Sequence, residues 1–318
     1  MLGAAMVGAP LASFSQKLAK VYRIAWLING PDGSEKEFID DTRKVLRDLG
    51  YIEGTNIVFE FRHTGGNTAR LPLVAAELVA LRPDLIISGA TPGTRAAQQA
   101  TATIPILMIG VADPVGAAFA ANLARPGGNI TGFANLGLDL AAKPLEMLRT
   151  VVPQVTRVAV LASDNPAGLA VVNKLTDVAK GMQVAVFQFV VRSLEEITKA
   201  FASMANAKVQ GLIVLTDGVT YRNRKEIADL AAEFRLPAVY QYAQHVEAGG
   251  LMSYGVDPRN LNRDVANYID RILKGARPGD LPIQQPSQFQ TAINKKTAKA
   301  LGITFPQEIL LRASVVIE

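Results

Sequence analysis

Residues 84–109, DLIISGATPGTRAAQQATATIPILMI, decide the fold. Asp84-Leu85-Ile86-Ile87-Ser88 is a short apolar run that stops at the small and turn-forming residues Gly89-Ala90-Thr91-Pro92-Gly93. The spacing then predicts a helix over 93–102, followed by a second apolar run over 104–109. Strands this continuously apolar are buried on both faces, and a parallel sheet covered by helices on either side satisfies that requirement.

Upstream, the same order appears twice. Residues 21–28 form an apolar run ending in the turn cluster Asn29-Gly30-Pro31-Asp32-Gly33, and 38–49 carry apolar side chains at helical spacing up to Gly50, a C-cap residue. A strand over 56–62 and a helix over 68–81 follow. Downstream, strands are predicted at 157–162, 183–189, 211–216 and 236–240, again separated by amphipathic stretches. The strands near Ile24, Leu85 and Ile104 therefore recur near Val158, Leu212 and Leu236, which predicts two α/β lobes of like topology in tandem.

The rest of the chain is too short for a third domain. It holds a strand over 251–255, a helix over 258–274, a Pro-rich crossing over 277–286 and a tail strand and helix after 288. Sharing these pieces between the lobes gives 21–131 with 256–282 as one lobe and 132–255 with 283–318 as the other. Three connectors then make a hinge.

Composition narrows the function. With 318 residues, 49% of them hydrophobic, the chain can bury two cores. The formal charge of +5 is scattered, and its densest run, Arg222-Asn223-Arg224-Lys225, reads as a solvated helix face, so no nucleic-acid partner is expected. No cysteine is present, which excludes disulfides, thiol catalysis and a lipid-modified N-terminal Cys. The two histidines, His63 and His245, lack metal-site spacing, so no metal and no cofactor are expected. Residues 1–16 are apolar, small and uncharged, too short to span a bilayer but suited to the core and cleavage region of an export signal. The reading is a periplasmic protein whose residues 1–20 are signal or remnant; an apolar N-terminal arm is the alternative, because a basic leader is missing.

Ligands of open parallel sheets bind where strand C-termini turn into helix N-termini. Candidate ligand-binding residues at those ends are Asn29, Ser88, Thr91 and Asp113 in the first half and Asp164, Asn165, Asp217 and Tyr242 in the second. Ser88 and Thr91 suit a carboxylate or a helix cap, and Asp217 suits a ligand ammonium or a cap. Asp113-Pro114 fits a turn starter at least as well as a ligand contact. Trp26 reads as core, while Phe133, Tyr240, Tyr242 and Tyr254 fall where a cleft would have aromatic walls. No dinucleotide fingerprint, phosphate loop, nucleophile elbow or zinc-protease motif occurs.

Several motifs together resemble a known family. Arg125-Pro126-Gly127-Gly128-Asn129-Ile130-Thr131-Gly132, preceded by Asp113-Pro114-Val115, and Glu247-Ala248-Gly249-Gly250-Leu251-Met252-Ser253-Tyr254-Gly255 are similar to the ABC transporter substrate-binding family that includes tryptophan- and tyrosine-binding members. Arg235-Leu236-Pro237-Ala238, the stretch from Ala276 to Pro282 and that from Asn294 to Gly302 fit the same pattern. The resemblance implies a type I periplasmic-binding-protein fold, no enzymatic activity, and a monomer that closes on a small solute and delivers it to membrane permease subunits. This chain departs from the family's usual loops at Ser163-Asp164-Asn165-Pro166-Ala167 and at Asp217-Gly218, which leaves the solute open beyond amino-acid-like or aromatic carboxylates. Two rivals stand beside that reading. One is a bilobed enzyme such as a nucleotide-sugar transferase. The other is a ligand-sensing regulator, which would need a DNA-binding segment before Val21.

Overall fold

The computed structural model describes residues 20–318 other than 31, 32, 34, 165 and 287, so the export segment and the candidate Asn165 lie outside the described residues. Two sheets organise the chain. The first has the order β2-β1-β3-β4-β5 and is parallel throughout: β1 (Tyr22–Ile28), β2 (Ile57–His63), β3 (Leu85–Gly89), β4 (Ile106–Val111) and β5 (Ile130–Ala134). Between these strands run α1 (Lys36–Asp48), α2 (Leu71–Ala80) and α3 (Ala90–Ala100).

The second sheet has the order β12-β11-β10-β9-β8-β6-β7. Its strands are β6 (Arg157–Ser163), β7 (Ala185–Val191), β8 (Gly211–Val214), β9 (Ala238–Tyr240), β10 (Met252–Gly255), β11 (Gln290–Asn294) and β12 (Ala313–Ile317). Only the β10–β11 pair is antiparallel. The helices are α4 (Lys143–Val151), α5 (Pro166–Gly181), α6 (Leu194–Asn206), α7 (Gly218–Arg222), α8 (Arg224–Glu233), α9 (Ala243–Glu247), α10 (Pro258–Leu273), α11 (Lys295–Leu301) and α12 (Gln307–Arg312).

Apolar strands need cover on both faces, and each sheet has it. On one face of the first sheet Ile24, Ile57, Leu85 and Leu107 meet Leu46 of α1 and Val265 and Ile269 of α10. On the other, Leu27, Ile86 and Met108 meet Leu78 of α2 and Ala97 of α3. The second sheet packs Val158, Val160 and Ile213 against α4, α5 and α11 on one side, and Leu161, Leu212 and Tyr240 against Phe201 of α6 and Ile227 of α8 on the other.

Helix α10 lies far along the chain yet covers the first sheet, so the chain passes between the lobes after β5, after β10 and before β11. Two of these passages differ from the boundaries read in the sequence. Gly132, expected at a crossing, sits inside β5 opposite Met108, and the first lobe keeps its strand to Ala134. Ile283, expected in the second lobe, is buried in the first lobe's core, and Gln284 donates its N–H to the Gly132 carbonyl at 2.9 Å. At the first boundary the reason is that a glycine at φ +140° reads as a turn but here allows close strand approach; at the second, burial of Ile283 and the Gln284 backbone bond hold the Pro-rich crossing to β5.

Candidate functional site: the interlobe cleft

The carboxyl ends of parallel strands in both sheets face one cleft of ≈ 1770 Å³ between the lobes. Trp26, Asn29 and Thr91 line it from the first lobe, and Asp164, Asp217 and Tyr242 from the second. Trp26 is only 4% exposed, because it is wedged edge-on to Phe38 (6.2 Å) and stacked with Phe61 (6.2 Å), so it belongs to the core and to the cleft floor at once. Phe133 is likewise buried and lines the cleft, its ring against Tyr268 at 4.9 Å.

The first lobe offers a helix N-terminus. Gly89 precedes α3 in extended conformation with no side-chain cap, so first-turn N–H groups of this helix are left without an internal partner. Gly89, Ala90, Thr91 and Pro92 all line the cleft, and Ala90 is held at φ +54°, a strained conformation for a residue with a Cβ. Thr91 is exposed there. Asn29 also faces the cleft, but its amide is used within the lobe: Oδ1 accepts from Thr64 Oγ1 at 2.8 Å and Nδ2 donates to Thr68 Oγ1 at 3.4 Å.

Two residues expected in this half do not reach the cleft. Ser88 is fully buried, with its hydroxyl 3.0 Å from that of Thr94, which itself donates to the Ala90 carbonyl. The pair braces the strand-to-helix turn, and the carboxylate role read for Ser88 is corrected to that. Asp113 is exposed and accepts from Gly116 N–H at 2.8 Å, so it closes a turn, while its neighbour Ala112 lines the cleft.

In the second lobe, Asp164 is paired with Arg192 at 2.7 Å, tying the end of β6 to the end of β7 at the cleft rim. Both side chains are exposed, so the pair adds little stability. Asp217 caps α7: Oδ1 accepts from Val219 and Thr220 N–H, Oδ2 accepts from Ser163 N–H at 3.1 Å, and Thr220 Oγ1 returns the capping box. Its carboxylate is therefore built into the lobe, and the fold is not indifferent to it. Asp217→Ala should lower stability by about 1–2 kcal/mol in urea unfolding, and an unchanged midpoint would dismiss the cap. Tyr242 is half-buried, edge-on to Tyr221 at 6.0 Å; burial and the nearby Glu35 push its hydroxyl pKa up.

Sequence reading missed the residues that α1 brings from the opposite lobe. Glu37 in the first turn of α1 and Glu35 at its N-cap both line the cleft and face α7. Glu35 still meets cleft water, yet burial between the lobes and the like charge of Asp217 push its carboxyl up, while Arg222 pulls it down. No local pattern marks such residues, since what faces them is contributed about two hundred residues later. Tyr254 at the end of β10, expected from the sequence as a cleft wall, stacks at 5.6 Å on Phe289 before β11, which was not, and both line the cleft where connectors pass.

Comparison with known proteins agrees with this architecture. A tyrosine-binding protein from Clostridioides difficile (strain R20291) is 30% identical over 291 residues, 90% of this chain and 82% of the relative. The crystal structure of an ABC domain from Streptococcus pneumonia in complex with L-Trp superposes with a TM-score of 0.76 at 27% identity, covering 94% of this chain and 100% of that one. A leucine-binding protein from Thermotoga maritima shares the type I periplasmic-binding fold, with a TM-score of 0.55 at 12% identity over 79% of this chain and 83% of its own. The family described as ABC transporter substrate binding protein matches residues 24–317, and the chain belongs to that family, whose members bind substrates for transporters.

Proposed function

We propose that this protein is the periplasmic capture component of an ABC uptake system, taking an amino-acid-like aromatic solute by lobe closure and passing it to permease subunits without chemical turnover. The observation that carries the reading is the cleft between two sets of strand ends, with an uncapped helix N-terminus on one wall and acidic side chains on the other. The α3 N–H groups and the Thr91 hydroxyl suit a carboxylate, because the helix dipole favours negative charge there. Glu35 and Asp217 approach from opposite lobes, and a cation between them relieves their mutual repulsion, which suits an ammonium. Trp26, Phe133 and Tyr242 supply walls for an aromatic side chain. The names of the relatives, a tyrosine-binding protein and a domain solved with L-Trp, favour the same class.

In this reading the lobes move about the three connectors, and one copy of the chain suffices because it supplies both walls. Among the described residues no helix is long and apolar enough to cross a membrane, which fits a capture component working beside its permease. A thermal-shift assay with L-tyrosine and L-tryptophan tests it. A ligand at about 100 times its Kd should stabilise the protein by about 2.7 kcal/mol. Failure of both amino acids, with other aromatic carboxylates also silent, would remove the ligand class.

A further inference from the structure

We infer that Glu37, Tyr221 and Arg224 form an interlobe clasp that sets the open–closed equilibrium of the protein. The inference rests on the lobe-closure reading above, but its evidence is a separate contact at the cleft mouth. Glu37 stands in the first turn of α1 on one lobe; Tyr221 and Arg224 stand at the junction of α7 and α8 on the other. Tyr221 Oη donates to Glu37 Oε1 at 3.1 Å, and Arg224 Nη1 lies 3.5 Å from Glu37 Oε2. Each carboxylate oxygen thus has its own partner across the gap.

The second-lobe half of the clasp is preorganised. Arg224 Nη1 also donates to the Tyr221 carbonyl at 3.0 Å, and its guanidinium lies 4.6 Å from the Tyr221 ring centroid. That ring is held edge-on by Tyr242 at 6.0 Å and by the fully buried His245 at 5.8 Å. The first-lobe half is a single carboxylate on an exposed helical turn, with Lys36 next to it engaged instead with Asp40 at 2.5 Å. Closing the lobes therefore orders one side chain, and the receptor for it is already in place. Burial and the Glu37 charge push the Tyr221 hydroxyl up to about 12, so the donor keeps its proton throughout the physiological range.

An exposed pair of this kind adds little to folding stability, but a bilobed binder is balanced between two states by small differences. Loss of the clasp should shift the open-to-closed ratio about fivefold, and solute should leave faster by the same factor. A solute's measured affinity then depends on three residues that hold the lobes together.

The test uses the whole chain and charge reversal. Small-angle scattering without added solute should show a larger radius of gyration for Glu37→Arg and for Arg224→Glu than for the wild type. The double variant Glu37→Arg/Arg224→Glu should return toward the wild-type value, and high salt should expand the wild type but not Glu37→Arg. Circular dichroism melting verifies that each variant folds. Single variants with unaltered scattering, or expansion that the double variant fails to reverse, would overturn the clasp. In parallel, L-tyrosine release from Glu37→Gln should be about fivefold faster by stopped flow. A wild type that binds no L-tyrosine defeats the ligand reading, and the scattering arm still judges the clasp.

Discussion

Gly132→Ala should cost about 3 kcal/mol or more of stability. A Cβ at this position would lie 2.0 Å from the Met108 carbonyl oxygen and 2.8 Å from the Met108 nitrogen, both backbone atoms of the neighbouring strand. The φ of +140° adds strain that any side chain would feel. Relief by moving β5 is blocked on its other side: Gln284 bonds Gly132, Ala134 bonds Gln284 at 2.8 Å, and the buried Thr131 hydroxyl donates to the Leu281 carbonyl at 2.7 Å. Gly65→Ala is the control, since its φ is +71° but nothing lies within 4 Å of the added methyl. It should cost about 1 kcal/mol. Urea unfolding of the two variants decides the matter, and equal losses would mean that strand contact is not what Gly132 serves.

The second large effect is on pH. His245 is fully buried, flat against Tyr240 at 5.0 Å, and neither ring nitrogen has a hydrogen-bond partner among the described residues. Burial, helped by the Arg224 charge, lowers its pKa from 6.5 to about 4; the Tyr242 backbone pulls the other way without reaching a ring nitrogen. Above pH 6.5 the imidazole is neutral in both folded and unfolded chains and contributes no pH dependence. As pH falls below 6.5 the unfolded chain takes up a proton that the folded one refuses, so stability declines until about pH 4. The full loss is about 3 kcal/mol. His245→Phe should flatten this part of the profile while keeping the ring stack. A wild-type midpoint in urea that stays constant from pH 7 to pH 4.5 would rule out a neutral buried His245.

The sheets are legible in the sequence because a doubly covered parallel strand must be apolar along its length, and residues 85–87 and 158–161 are. Strand β5 escaped notice since Gly127, Gly128, Asn129 and Gly132 together look like loop, and only the pairing partner Met108 shows why a glycine is needed within it. Short helices such as α7 and α9, five residues each, are too brief for a periodic pattern, and the edge strand β12 borrows its place from β11. The strand-end rule put Asn29, Thr91, Asp164, Asp217 and Tyr242 beside the cleft. It could not separate side chains that face the opening from those that brace the turn, so Ser88 and Asp113 went with them. Glu35, Glu37 and Tyr221 acquire meaning only once two lobes meet, and no spacing within one lobe encodes that.

Helix α10 closes one face of the first core, and Ile293, Ala298, Phe305 and Ile309 help close the second. During synthesis, then, the lobe whose strands emerge first cannot finish folding when those strands leave the ribosome. It waits for residues 258–273, and the other lobe waits longer still. A growing chain of this topology spends most of its translation without a sealed core, in contrast to proteins whose early domains fold as independent units. Such a delay keeps the polypeptide threadable, and a translocation channel that accepts only unfolded chains would have nearly the whole of synthesis in which to engage it.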